Sequence, residues 1–551
     1  MRIPKYRFPR RAPSGRTPLF SAIRRAFSLA IQADRPSRPP VDELIEIEKA
    51  ARVSRREFLK MSTAGALAIG ATGAFTSCVT SERRVSGPIP RVAIVGAGMA
   101  GLNAAYRLKL AGLRADVFEA SKRSGGRMYT AKDILAPGLT TELGGEFIDS
   151  NHEDMLALVK DFNLELLDVQ GPGETELIRE AYFFDGSHHT ERKVVEAFRP
   201  IAARLKTDFD KLGDVVDFEH EGGGRKLDNT TLDAYLNVIG ATGWLRELLE
   251  VAFVTEYGLE ANEQSALNML FMISTDLSKN QFEAFGESDE RYKVAGGNQR
   301  IVDELAQRVS DQIRFEHRLA ALRRKGDAYV LHLSGPSGAT VDVEADFVVL
   351  CLPFTLLREV ELQVELPKVK RKAIAELGYG NNTKVMLGFH KRIWRDLKYS
   401  GNIFTDEPYQ LAWDNSRLQP GTAGGLTCYS GGRLALTAGQ GTPSDQAKRL
   451  LPGVEKAFPG VSATHNGKVE RFDWPRFPWT KGSYACYKPG QWTTIAGSEI
   501  KPVKNLFFAG EHCSTDFQGF MNGAAETGRG AAESILAILK KNRTFRRNLA
   551  E

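Results

Sequence analysis

The 551-residue chain exceeds what one compact core usually holds, so two intertwined domains are expected. Apolar residues make up 42% of it, ample for a core, and 74 Lys and Arg against 68 Asp and Glu leave a formal charge of +6. That excess is local: Arg2, Lys5, Arg7, Arg10, Arg11, Arg16, Arg24, Arg25, Arg35 and Arg38 face the single acid Asp34 within residues 1–40, so the remainder is near neutral and no nucleic-acid-binding face is expected. Cys78, Cys351, Cys428, Cys486 and Cys513 form no CxxC pair and have no His at metal-ligand spacing. They speak against zinc, redox-dithiol chemistry and a disulfide framework.

In chain order, residues 1–50 read as a basic extension and residues 51–78 as a signal. Ser54-Arg55-Arg56-Glu57-Phe58-Leu59-Lys60 precedes a mild apolar run, Ala64–Ala71, too short and too rich in Gly and Ala for a transmembrane span. Paired arginines before such a run resemble a twin-arginine export signal, whose machinery carries folded, often cofactor-loaded proteins; the other reading is Arg-Arg ahead of a buried helix. Phe75-Thr76-Ser77-Cys78 resembles a lipoprotein cleavage box with a poor first residue, so a lipid anchor at Cys78 competes with ordinary cleavage. The expected location is periplasmic or extracellular.

Arg91–Val95 reads as a short buried strand, followed by Gly96-Ala97-Gly98-Met99-Ala100-Gly101, a helix over Leu102–Ala111, and a second strand, Ala115–Phe118, ending on Glu119. A GxGxxG alone is weak; between strand and helix, with an acid after the second strand, it is a dinucleotide site. The glycines allow a tight turn and close approach to a pyrophosphate, the helix start offers free N–H groups, and Glu119 can accept from ribose hydroxyls. Ala120 follows it against the ligand. Ser124-Gly125-Gly126-Arg127 comes next, with Gly126 passing close to the ligand and Arg127 placing a cation beside the pyrophosphate.

This order, GxGxxG, acid, then Gly-Gly-Arg, resembles the flavin amine oxidase superfamily, which includes monoamine, polyamine and L-amino-acid oxidases. Thr141-Glu142-Leu143-Gly144-Gly145-Glu146-Phe147 matches the stretch passing the flavin ring. Val294–Asn298, Phe347–Pro353, Phe507-Phe508-Ala509-Gly510-Glu511-His512 and Gly519-Phe520-Met521-Asn522-Gly523 match further landmarks, so the resemblance spans residues 88–540. It implies a Rossmann-like FAD-binding α/β domain (88–150, 289–360 and 483–540) intertwined with an α+β substrate domain (151–288 and 361–482). It also implies that Glu511 bonds the ribityl chain or phosphate, and that the last helix opens against the flavin pyrimidine edge. Helix-like stretches at Met155–Phe162 and Leu232–Leu249 make part of the substrate domain helical.

The resemblance further implies three catalytic residues. Lys384, heading the apolar strand Asn381–Phe389, matches the lysine that holds a water at flavin N5. Tyr484 and Phe520 match the two walls of an aromatic cage that orients the amine and excludes water. Trp474 is expected either beside the flavin or in the core. Monoamine oxidases link a cysteine to flavin where Ser483 stands, so FAD is expected to be non-covalent; Cys486 is out of register. No C-terminal membrane anchor of the mitochondrial type follows the last helix.

The implied activity is oxidative deamination of an amine, polyamine or amino acid with O2, giving a carbonyl, ammonia and H2O2. No arginine follows Gly145, unlike the snake-venom L-amino-acid oxidases, although an L-amino-acid oxidase for basic substrates stays open. Glu146 or Asp149 is a candidate for attracting a second cationic group. Two other readings are a C–C desaturating flavoenzyme of the same fold and a non-catalytic FAD-binding protein. Homodimerisation is left open.

Overall fold

The computed structural model describes residues 18–34, 39–47, 89–272 and 289–550; Ser54–Lys60 and Cys78 lie outside them. A five-stranded parallel sheet runs in the order Leu506–Phe508, Phe347–Leu350, Val92–Val95, Ala115–Phe118 and Ile313–Arg314. Val92–Val95 and Phe347–Leu350 are buried at every position, as a parallel strand covered on both faces must be. Ile94 and Val349 pack with Leu102, Ile301 and Ile535, from the helices Met99–Leu110, Gln299–Arg308 and Met521–Ala550. Val95 and Leu350 point the other way, onto Leu322 and Leu331 of a four-stranded sheet. The alternation of neighbours between the two faces is the period-two geometry of a strand.

A seven-stranded sheet builds the other half, in the order His465–Asp473, Asn382–Phe389, Gly424–Gly431, Leu411–Asp414, Tyr399–Thr405, Ile178–Phe184 and Ser187–His189. Its strands come from both sides of the segment that returns to the parallel sheet, which is how the two halves intertwine. One detail differs from expectation: Glu361–Gln363 pairs in parallel with Arg318–Lys325, so it joins the four-stranded sheet rather than the substrate half. Phe183, Val385 and Leu387 face Leu450 and Val454 of the helix Pro443–Ala457. Tyr182, Phe184 and Tyr429 face Phe198, Leu248 and Phe253 on the opposite side.

The expected helix over Met155–Phe162 is present as Glu153–Asp161. Leu232–Leu249 is not one helix but two, Leu232–Val238 and Gly243–Tyr257, because Gly240 turns left-handed at φ 79°. Within the basic extension, Pro18–Ala33 forms a helix that buries Ile23, Phe27, Leu29 and Ala30 against Phe198 and Leu248. Arg25, 4% exposed, reaches Glu180 at 2.8 Å and also pairs with Glu191. A guanidinium in that position is charged and buried, and its acids neutralise it. Among the described residues no helix is long and apolar enough to cross a membrane.

Candidate active site

The Gly-rich turn does what its spacing requires. Helix Met99–Leu110 starts at Gly98 with no side-chain cap, leaving its first-turn N–H groups to a ligand. A side chain on Gly101 would put Cβ 1.9 Å from the Gly96 carbonyl oxygen. Gly101 is therefore a packing glycine between helix and strand, and it does not line the cavity, unlike every other expected cofactor-binding residue. Gly98 and Gly125 bridge, so the two glycine-rich turns form one wall. Glu119 closes the strand end and accepts from Ala97 N and Ser121 N, each at 2.8 Å, keeping lone pairs for ribose hydroxyls.

Arg127 spans the two ends of the chain. Its Nη1 donates to Glu511 Oε1 at 2.8 Å and to the Ser483 carbonyl at 2.6 Å. Glu511 Oε2 in turn accepts the Gly519 N–H at 2.8 Å, just ahead of the last helix. The expected pyrophosphate cation is thus also the brace that ties the first and last segments of the flavin half together. Gly96, Gly98, Gly126 and Gly510 line a cavity together with Arg127, Glu511 and Met521, and this donor and backbone set fits a flavin dinucleotide.

The ring-passing stretch is held by Lys384. A Cβ on Gly144 would sit 1.8 Å from the Arg127 carbonyl oxygen, so only glycine lets these backbones touch. Lys384 Nζ donates to Glu142 O at 3.1 Å, Gly144 O at 2.8 Å and Glu146 Oε2 at 2.9 Å. An ammonium has three protons, and all three are used by this loop. In this arrangement Lys384 clamps the loop. Glu146 Oε1 accepts Lys293 Nζ at 2.9 Å. Burial opposes the charge on Glu146, but Lys293 and Lys384 outweigh it and hold the carboxyl below its ordinary value. Glu146 is therefore not available to a cationic substrate. Glu142, buried beside it, is pushed up to about 7 by desolvation.

Tyr484 and Phe520 line the same cavity as Lys384. The Tyr484 hydroxyl lies 2.6 Å from that of Tyr429 and donates to the Thr255 carbonyl at 3.1 Å. Phe520 packs edge-on against His152, with centroids 5.1 Å apart. His152 is fully buried, and desolvation lowers it to about 3, so it stays neutral. Trp474, expected near the flavin, also lines the cavity and donates to Leu143 O at 3.0 Å.

Sequence reasoning missed Trp413 and Tyr429. Lys384 pairs across strands with Tyr429, Tyr429 with Leu411, and Trp413 stands two residues further along the same strand face. The register therefore puts Lys384, Tyr429 and Trp413 on one face. Lys384 Nζ lies 5.2 Å from the Trp413 ring centroid. Leu411–Asp414 is four residues long and buried throughout, so it carries no alternation from which the sequence could have placed Trp413.

Comparison with known proteins agrees with this geometry. The family described as flavin containing amine oxidoreductase matches residues 99–536. A flavin-containing amine oxidase of Danio rerio is 23% identical over 467 residues, covering 82% of this chain and 86% of that protein. A pseudooxynicotine dehydrogenase of Pseudomonas is 23% identical over 505 residues, covering 89% and 96%. An L-amino acid dehydrogenase of Synechocystis is 23% identical over 473 residues, covering 81% and 94%. Among solved structures, cyclohexylamine oxidase from Brevibacterium oxydans superposes with a TM-score of 0.71 at 22% identity, covering 82% of this chain and 100% of that one. The chain belongs to the flavin containing amine oxidoreductases, as a flavin-dependent oxidoreductase acting on amines.

Proposed function

We propose that the protein is an FAD-dependent amine oxidase that converts an amine, O2 and water to a carbonyl compound, ammonia and H2O2. The observation that carries this is the aromatic chamber of Trp413, Tyr429, Tyr484 and Phe520, which opens on the Gly144–Gly145 stretch clamped by Lys384. A low-dielectric chamber disfavours ammonium, so the amine is held neutral with its lone pair available. Tyr484 and Phe520 orient the carbon bearing nitrogen and exclude water. FAD, when bound, supplies the two-electron acceptor. An α-carboxylate is disfavoured as a substrate feature. The arginines lining the cavity are Arg123 and Arg127; Arg123 donates to the Ser124 carbonyl and Arg127 to Glu511, both at the dinucleotide end. A peroxide-coupled panel of amines, polyamines and L-amino acids tests the reading, and absence of anaerobic flavin bleaching by any of them would end it.

FAD is held without a covalent bond in this reading. Ser483 lines the cavity with its hydroxyl turned to Asn382 Oδ1 at 2.5 Å, Cys486 is fully buried, and Cys351 lines the cavity at the Gly96 turn. Acid precipitation should leave a colourless pellet and yellow supernatant. The protein is exported by the twin-arginine route, on the support of Arg55-Arg56 and the apolar run after them. Arg55→Lys with Arg56→Lys should hold it in the cytoplasm; unchanged export would discard that signal.

A further inference from the structure

Two acids, Asp149 and Glu290, line the cavity that holds the amine chamber. Glu290 immediately precedes Arg291 and the strand Tyr292–Val294, is 5% exposed, and has a left-handed backbone at φ 47°. Its N–H donates to Asp149 Oδ1 at 2.9 Å, but its own Oε1 is buried with no hydrogen-bond partner. Glu290 and Asp149 line the same cavity as Phe147, Trp413 and Phe520. The cations of this region are committed elsewhere. Arg291 makes a bidentate pair with Asp168 at 3.0 and 2.7 Å, Lys293 holds Glu146, and Arg179 is 2.9 Å from Glu180. A buried carboxyl left unpaired is costly, and such groups in a binding cavity find their partner in the ligand.

We propose that Glu290, with Asp149 beside it, receives a second cationic group of the substrate, so that the preferred amines carry an ammonium or guanidinium several carbons from the oxidised C–N bond. This rests on the amine-oxidase reading. It replaces Glu146, whose oxygens are both taken by lysines, as the acid that selects a dication. Burial, with Asp149 and Glu256 adding to it, pushes the Glu290 carboxyl up, and a cation beside it favours the ionised form.

The test compares kcat/KM for 1,4-diaminobutane against butylamine, 1,5-diaminopentane against pentylamine, and L-lysine against L-norleucine. In wild type at least one dication should be favoured by about tenfold or more, the scale of one good charged contact. Glu290→Gln should bring that ratio near unity, and Glu290→Asp should keep part of it, with flavin absorbance checking that each variant is loaded. The pair that shows the preference separates a diamine from a basic amino acid. Equal use of mono- and dications by wild type, or an unchanged ratio in loaded Glu290→Gln, overturns the inference while leaving amine oxidation standing. Failure of every amine to bleach the flavin removes the amine-oxidase reading, and the inference with it.

Discussion

Lys384 and Glu146, 238 residues apart, meet at 2.9 Å, and the other Glu146 oxygen is held by Lys293 at the same distance. Together with the Lys384 bonds to Glu142 O and Gly144 O, this fixes the backbone that passes the flavin ring. Lys384→Met should slow flavin reduction by about a hundredfold through misplacement of that loop. It should also lower the melting temperature, because a buried ion group loses one partner. Adding Glu146→Gln should lower the stability further, because it strands the buried Lys293 ammonium, and should restore none of the rate. Stopped-flow reduction and thermal melting read the two effects; a Lys384→Met enzyme with the wild-type melting temperature would contradict the clamp.

Tyr429→Phe removes the 2.6 Å contact to Tyr484 while leaving the ring. The expected cost is about 1 kcal/mol of stability together with a several-fold rise in KM for amines, since one wall of the chamber loses its tie. Tyr484→Phe should show the same direction. The double variant should cost less than the sum, which a double-mutant cycle on melting and KM would show.

Glu142 sets a pH dependence. Its folded carboxyl is pushed up to about 7 by burial, against an ordinary value of 4.5. Between those values the folded protein keeps a proton that the unfolded chain has lost. Stability from this group therefore falls as pH rises from 4.5 to about 7, and the loss is complete above it. Glu142→Gln lacks the titration. Its melting temperature relative to wild type should climb across that window and level off above it; a constant difference would refute the assignment.

Arg25 joins the Pro18–Ala33 helix to Glu180, which is 4% exposed at its side chain. Arg25→Ala should cost roughly 1–3 kcal/mol, less than the full penalty for a stranded buried charge, because Arg179 stays 2.9 Å from Glu180. Adding Glu180→Gln should restore part of it. Thermal melting of the full chain gives both values, and an unchanged melting temperature for Arg25→Ala would mean that the helix does not seat in solution.

Much of the flavin half was legible in the chain. The Gly96–Gly101 turn, Glu119 and Gly126-Arg127 depend on steric or hydrogen-bonding demands met within a few residues, so their spacing is readable, whereas Gly144-Gly145 and Gly510-Glu511 were legible only through the family resemblance. Gly101 shows the limit of that reading: the same motif position serves helix–strand packing, and only the Gly96 oxygen at 1.9 Å from its missing Cβ reveals it. The strand at Lys384 was visible as an apolar run, yet the fate of its ammonium was not.

The sequence by itself determined the dinucleotide turn and, through its resemblance to a known family, the amine-oxidoreductase chemistry, because these are carried by local motifs. The tertiary structure decided which charges remain open. Glu146 is spent on Lys293 and Lys384, which come from strands 147 and 238 residues away, and Glu290 keeps an unpaired oxygen in the chamber. Charge pairing across the cavity depends on sheet register and burial, which place residues distant in the chain within 3 Å, and no local pattern encodes that proximity.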